Sequence, residues 1–256
     1  MSNKICVSLG TTDINELKKL VSDSLSSNAD FIEVRFDYFD KSRMNEVLEF
    51  VLDHKERAVF TCRAANEGGK YTGSEVDRVT ALRRLAAFRP MFLDVEYNTM
   101  TINDDLMDQF TAQNCDTLVS WHSFDLTPSA EELHSLLSKM KEYSANVKIV
   151  TMAKDTSDNL RVLKLYEVAK KANINLVTFC MGEHGVLSRV LCPYAGAPFT
   201  YASLTDAIAP GQLTLKQMRS IYDTLEKKSP ELKDYNSWKD RQEFDNVINI
   251  INEARA

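Results

Sequence analysis

The 256-residue chain has no surplus of basic residues, no long apolar run, few glycines and no closely spaced cysteines. Each shortage removes a class of function. A formal net charge of -6 argues against nucleic acid or an anionic membrane as the main partner. No apolar run approaches membrane-spanning length, and the opening Met1-Ser2-Asn3-Lys4-Ile5-Cys6 enters a strand-like segment without a leader-like h-region. Cys6, Cys62, Cys115, Cys180 and Cys192 are scattered, which predicts reduced thiols in a cytoplasmic protein. The eight glycines contain no G-x-G-x-x-G and no phosphate loop, so the usual nucleotide readings fall away. His54, His122, His134 and His184 show no metal-ligand spacing.

What is present is regular alternation. Strand-like segments are read at 4–9, 31–36, 58–62, 91–96, 117–122, 147–152, 175–180 and 199–203. Helical periodicity fills the gaps between them. Leu17, Leu20, Val21 and Leu25 share one helix face, as do Leu133, Leu136, Leu137 and Met140. Asp13 and Ser129 stand where N-caps belong. Apolar content of 44% can fill one large core. Eight β-α units without a Pro/Gly-rich linker predict a single (β/α)₈ barrel, with a doubly wound sheet as the alternative. The expected division is a catalytic barrel over 1–227 and a C-terminal extension over 228–256. In that extension Pro230 reads as a loop, and Phe244, Val247, Ile248 and Ile251 form a stripe at helical spacing. An extra helix packed on the barrel wall is expected, or one that meets a partner.

A barrel concentrates its chemistry where strands end. There the sequence places Ser8, then Glu33-Val34-Arg35-Phe36-Asp37, then Arg63 with Glu67 shortly after it. Asp94-Val95-Glu96, Ser120-Trp121-His122, Lys148, Ser188-Arg189 and the turn-like Ala209-Pro210-Gly211-Gln212 follow. Period two puts Glu33, Arg35 and Asp37 on one strand face. Lys148 stands inside the apolar run Asn146-Val147-Lys148-Ile149-Val150-Thr151-Met152. Its amine either leaves the strand for water or enters a cavity, where desolvation and nearby Arg35, Arg63 and Arg189 would disfavour the ammonium form. A neutral lysine can form a Schiff base with a carbonyl. Any one of these polar residues could serve an internal salt bridge, Arg63 with Asp94 or Arg35 with Glu96. So many together point to a polar, anionic ligand.

In this order the motifs resemble those of the type I 3-dehydroquinate dehydratase family, the Schiff-base class, over residues 3 to 226. The resemblance implies a (β/α)₈ barrel that dehydrates 3-dehydroquinate to 3-dehydroshikimate in the shikimate pathway. It implies that Lys148 forms the imine, that His122 is its acid–base partner and that Glu67 orients His122. Glu33, Arg35 and Arg63 would line the hydroxyl side of the substrate, Arg189 and Gln212 would hold its carboxylate, and Ser8 would add a hydroxyl. No metal or organic cofactor is implied, and a cytoplasmic homodimer is expected. Two positions depart from the family pattern. Ile208 stands where a serine is common, so that contact is lost or comes from elsewhere, with Thr205 as a candidate. Ser123 follows the histidine where an acid is common. Two other functions compete: a Schiff-base aldolase of phosphorylated sugars, and a barrel that binds a polyhydroxy acid without turnover. Glu183, after the seventh strand, would repel the phosphate an aldolase needs. Loss of Lys148 or His122 would have marked a mere binder, and both are present.

Overall fold

The computed structural model describes residues 3–205, 207–228 and 241–255, without the side chains of 241–246. Eight parallel strands form its centre: β1 Ile5–Leu9, β2 Phe31–Arg35, β3 Ala58–Thr61, β4 Phe92–Glu96, β5 Thr117–His122, β6 Asn146–Met152, β7 Asn175–Met181 and β8 Thr200–Ala202. Each pairs with its sequence neighbour, and β8 returns to pair with β1, Cys6 beside Tyr201. Parallel strands covered on both faces are buried along their length, as these are, and Glu33 in β2, Asp94 and Glu96 in β4, Ser120 in β5 and Lys148 in β6 interrupt their apolar runs. The seam between β7 and β8 carries no strand pairing and is filled by side chains, with the ring centroids of Phe179 and Tyr201 6.2 Å apart. The arrangement is a nearly closed (β/α)₈ barrel.

Ten helices run outside and between the strands: α1 Ile14–Ser26, α2 Met44–Val51, α3 Glu75–Ala86, α4 Tyr97–Ile102, α5 Leu106–Ala112, α6 Ala130–Met140, α7 Ser157–Lys171, α8 Val186–Ala195, α9 Leu215–Lys228 and α10 Arg241–Arg255, counted among the described residues. Asp13 accepts from the Glu16 amide at the start of α1, and Ser129 with Glu132 forms a reciprocal capping box on α6. Such caps contribute about 1 kcal/mol each, because they satisfy amides that have no partner within the helix. The inward stripes are Leu17 and Val21 on α1 and Leu133, Leu137 and Met140 on α6, all buried.

One strand is shorter than its alternation suggested. β2 ends at Arg35, and Phe36–Tyr38 makes a single 3₁₀ turn. Asp37 therefore does not continue the inward face of Glu33 and Arg35. It turns back and accepts both Arg35 Nε at 2.8 Å and Nη2 at 2.7 Å. At the far end of the chain, α10 packs on α9 and α8 and buries Val247, Ile250 and Ile251. Pro230 and the side chain of Phe244 lie outside the described residues. Among the described residues no helix is long and apolar enough to cross a membrane.

Candidate active site

Alternation turns Ser120 and His122 of β5 into the barrel lumen, and the strand register sets Ser120 beside Lys148 on β6. Lys148 is 5% exposed, so its amine does not leave the strand for water. Nζ donates to Asp94 Oδ2 at 3.1 Å and stands 3.6 Å from Glu33 Oε1. The Tyr201 ring covers a further side, its centroid 4.3 Å from Nζ. The groups in contact with this lysine are thus carboxylates and an aromatic face, where the sequence suggested arginines.

The arginines have other partners. Arg63 binds Asp94 at 2.7 Å, Glu96 at 3.2 Å and Ser120 Oγ at 2.6 Å. Glu96 is shared with buried Arg78 at 2.6 Å, so the expected pair of Arg35 with Glu96 does not form. Its place is taken by Arg35 with Asp37. Although burial opposes its charge, Asp94 is held well below the usual carboxylate range by Arg63 and Lys148. A buried chain of alternating charge therefore runs from Lys148 through Asp94, Arg63 and Glu96 to Arg78. Such groups survive burial only because each is paired.

His122 Nδ1 lies 3.0 Å from Glu67 Oε2. Burial pushes the Glu67 carboxyl up to about 7, with Glu96 and Asp94 adding to the rise and Arg63 opposing it. Burial also drives the His122 imidazole well below its ordinary value, and the cations Arg63 and Lys148 act in the same direction. The imidazole is therefore neutral at neutral pH. A Glu67 carboxylate takes the Nδ1 proton in a hydrogen bond and leaves Nε2 as a base. A protonated Glu67 donates to Nδ1 instead, and Nε2 then carries the proton. Phe124 stacks on the imidazole, with centroids 6.5 Å apart. Gly68, at φ +77°, permits that approach, because a Cβ there would collide with the Phe124 ring.

Arg189 projects from α8 and is 1% exposed. It has no carboxylate beside it among the described residues. Its guanidinium stacks on Phe179 at 4.3 Å, Nη2 reaches the Pro210 carbonyl at 3.5 Å, and Nε has no hydrogen-bond partner. Desolvation without an anion pushes it down to about 10. Across from it, the Gln212 side-chain oxygen accepts from the Ile208 amide at 2.9 Å and the Ala209 amide at 3.3 Å. The loop is seated by the Gly182 amide on the Pro210 carbonyl at 3.1 Å, and Gly211 at φ +71° packs where a Cβ would strike the Gly182 carbonyl. Ile208 lines the cleft, whereas Thr205 is exposed and does not, so Thr205 does not replace the missing serine. Ser123 is held locally, its hydroxyl donating to the Leu126 carbonyl at 2.8 Å.

One cleft, open to solvent at its mouth, is lined by Ser8, Glu33, Arg35, Arg63, Glu67, His122, Lys148, Arg189 and Gln212. These are all the site residues picked from the sequence. Reading strand ends did not single out Asp94 as the partner of Lys148, although the acidic alternation Asp94-x-Glu96 was its signal. Ser120 and Tyr201 gave none, since a serine or tyrosine within an apolar strand is ordinary. Among the described residues no group of acids, cysteines and histidines is arranged to hold a metal.

The family model for type I 3-dehydroquinase matches residues 5–229. A 3-dehydroquinate dehydratase of Dehalococcoides mccartyi is 40% identical over 224 residues, 86% of this chain and 94% of that protein. One from Thermococcus onnurineus is 35% identical over 85% of this chain and 97% of its own length. Among solved structures, the type I 3-dehydroquinate dehydratase of Clostridium difficile with covalently modified comenic acid superposes with a TM-score of 0.79. It is 26% identical, covering 88% of this chain and 93% of that one. The chain belongs to the type I 3-dehydroquinase family.

Proposed function

We infer that this enzyme is a hydro-lyase that dehydrates 3-dehydroquinate to 3-dehydroshikimate, with Lys148 as the Schiff-base lysine and His122 as its proton carrier. The observation that carries the reading is the buried Lys148 amine opening onto the same cleft as a neutral imidazole. Lys148 passes one proton to His122 and its free amine adds to the substrate ketone; the carbinolamine then takes that proton back and loses water, leaving a protonated imine. That iminium is an electron sink, so the adjacent C–H can release its proton to His122. The electron pair left behind expels the hydroxyl group one carbon further on, and a proton from the imidazolium accompanies it as water leaves. Hydrolysis of the imine then frees product and restores Lys148. Glu67 supports both directions of transfer, because its own protonation decides which state Nε2 holds. Glu33, Arg35, Arg63 and Ser8 supply donors and acceptors for substrate hydroxyls. In the same reading residues 1–227 form the catalytic unit, the chain works in the cytoplasm, and two copies associate. Light scattering of the pure chain checks that last point.

The direct test is incubation with 3-dehydroquinate while following the absorbance of a conjugated enone. An active preparation develops it, and one that binds 3-dehydroquinate without developing it is a binder only.

Arg189 is assigned to the substrate carboxylate. A buried guanidinium with no anion is costly, and a carboxylate ligand would supply the missing partner. Removing it should cost about 2–5 kcal/mol of substrate affinity, roughly 30-fold to several-thousand-fold in Kd. Arg189→Met should therefore bind substrate far more weakly while its Tm stays near that of the parent, because no internal ion pair is broken. Unchanged affinity, or a Tm that collapses, would show a structural cation instead.

A further inference from the structure

The Tyr201 side chain, on the last strand, is 3% exposed and makes an unusual pair of contacts for a buried tyrosine. Its ring face meets the Lys148 nitrogen at 4.3 Å, yet its hydroxyl has no hydrogen-bond partner. A buried tyrosine normally places its hydroxyl on a partner, since an unsatisfied one is unfavourable. The ring is itself well fixed. Phe199 packs edge-on against it at 5.5 Å and Phe179 leans on it across the β7–β8 seam at 6.2 Å. Strand pairing with Cys6 of β1 holds the backbone beneath. The face of an aromatic ring carries negative quadrupolar charge and attracts a cation within about 6 Å of its centroid.

We propose that Tyr201 is a positioning residue for the reaction, its ring face seating the Lys148 nitrogen and then stabilising the iminium cation formed on it. This rests on Lys148 being the Schiff-base lysine. The physical need follows from the bonds the nitrogen makes. As an ammonium, Lys148 has three N–H donors, and Asp94 takes one at 3.1 Å with Glu33 close by at 3.6 Å. The protonated imine retains a single N–H, so it can satisfy one acceptor at most. The positive charge is then spread over nitrogen and carbon, where directional hydrogen bonds no longer reach all of it. A ring face needs no donor and no particular direction. It continues to attract the charge after the hydrogen bonds have gone, and its fixed position limits the arc through which the long side chain can swing.

The test separates the ring's charge from its bulk. Phenylalanine and its mono-, di- and trifluorinated forms at position 201 keep nearly the same shape while progressively draining the ring face. The measurements are kcat and the rate of borohydride inactivation in the presence of 3-dehydroquinate. Tyr201→Phe should support both, whereas the trifluorinated form should be slower in both by roughly 10- to 30-fold, with intermediate forms graded between them. KM should move much less than kcat. Tyr201→Leu, with no ring, should resemble the trifluorinated form or fall below it, and Trp at the same place should recover part of the rate if it folds. A flat response across the fluorinated series overturns the proposal and leaves Tyr201 as packing. The same holds if the ring variants change KM alone. Absence of borohydride inactivation in the unsubstituted enzyme would instead defeat the Schiff-base reading itself, so the two failures are distinguishable.

Discussion

Borohydride added with 3-dehydroquinate should permanently inactivate this enzyme, and mass spectrometry should find one substrate-derived adduct per chain on the peptide containing Asn146-Val147-Lys148-Ile149. The imine is the only intermediate here that borohydride can reduce to a stable secondary amine while it stays joined to the protein. Lys148→Ala should abolish both labelling and turnover. Lys154, exposed and two residues past the end of β6, should be replaceable without loss of either. The variant should also stay folded. Removing one member of a buried ion pair can cost about 3–5 kcal/mol when the other is left alone. Here Asp94 keeps Arg63 at 2.7 Å and the Ser120 hydroxyl at 2.6 Å, and Glu33 keeps the Thr61 hydroxyl at 3.0 Å. A thermal melt close to that of the parent therefore belongs to the same prediction. Labelling of another lysine, or full turnover by Lys148→Ala, would end the Schiff-base assignment.

His122→Ala should lower kcat by about 10²-fold or more with little change in KM, the scale expected when a positioned acid–base group is removed. The partner of this histidine should set the pH dependence. In the parent, the log of kcat/KM should rise with pH and level off above about 7, where the Glu67 carboxyl has lost its proton and Nε2 is free to act as a base. The sign follows from the direction of the shift. Burial raises the Glu67 value, so the protonated, unproductive form persists to higher pH than for an ordinary glutamate. The two groups are in contact, so the limb belongs to the pair and not to either alone. Glu67→Gln, whose amide does not titrate, should lose that limb. The remaining acid-side fall should then appear at lower pH, where His122 itself takes a proton. A His122→Ala enzyme with parental kcat and a raised KM would make the histidine a binding residue. An unchanged profile in Glu67→Gln would separate Glu67 from the proton transfers.

How much of this could be read without coordinates differs from residue to residue. Alternating apolar runs and helical stripes were enough for the barrel, because a parallel strand buried on both faces and a helix with one buried face leave different periods in the chain. The same periods located the ends of the strands, and the order of polar residues at those ends carried the family resemblance. Lys148 inside an apolar run, His122 at a strand end and Arg189 after β7 were legible for that reason. Their partners were not. Arg35 bonds to Asp37 because β2 stops one residue before alternation would continue, which is a matter of local backbone and not of pattern. Arg63 chooses Asp94 and Glu96, and Lys148 chooses Asp94, across strands separated by at least thirty residues of chain. The barrel's stagger and curvature decide which charges meet across the lumen, and a linear pattern contains neither. The seat under the lysine is the clearest case: Tyr201 lies 53 positions from Lys148, and only closure of the β7–β8 seam sets its ring against that nitrogen. Composition, periodicity and motif order determined the fold and the kinds of group in the cleft; tertiary closure decided which group faces which, because those contacts depend on three-dimensional distance rather than on order along the chain.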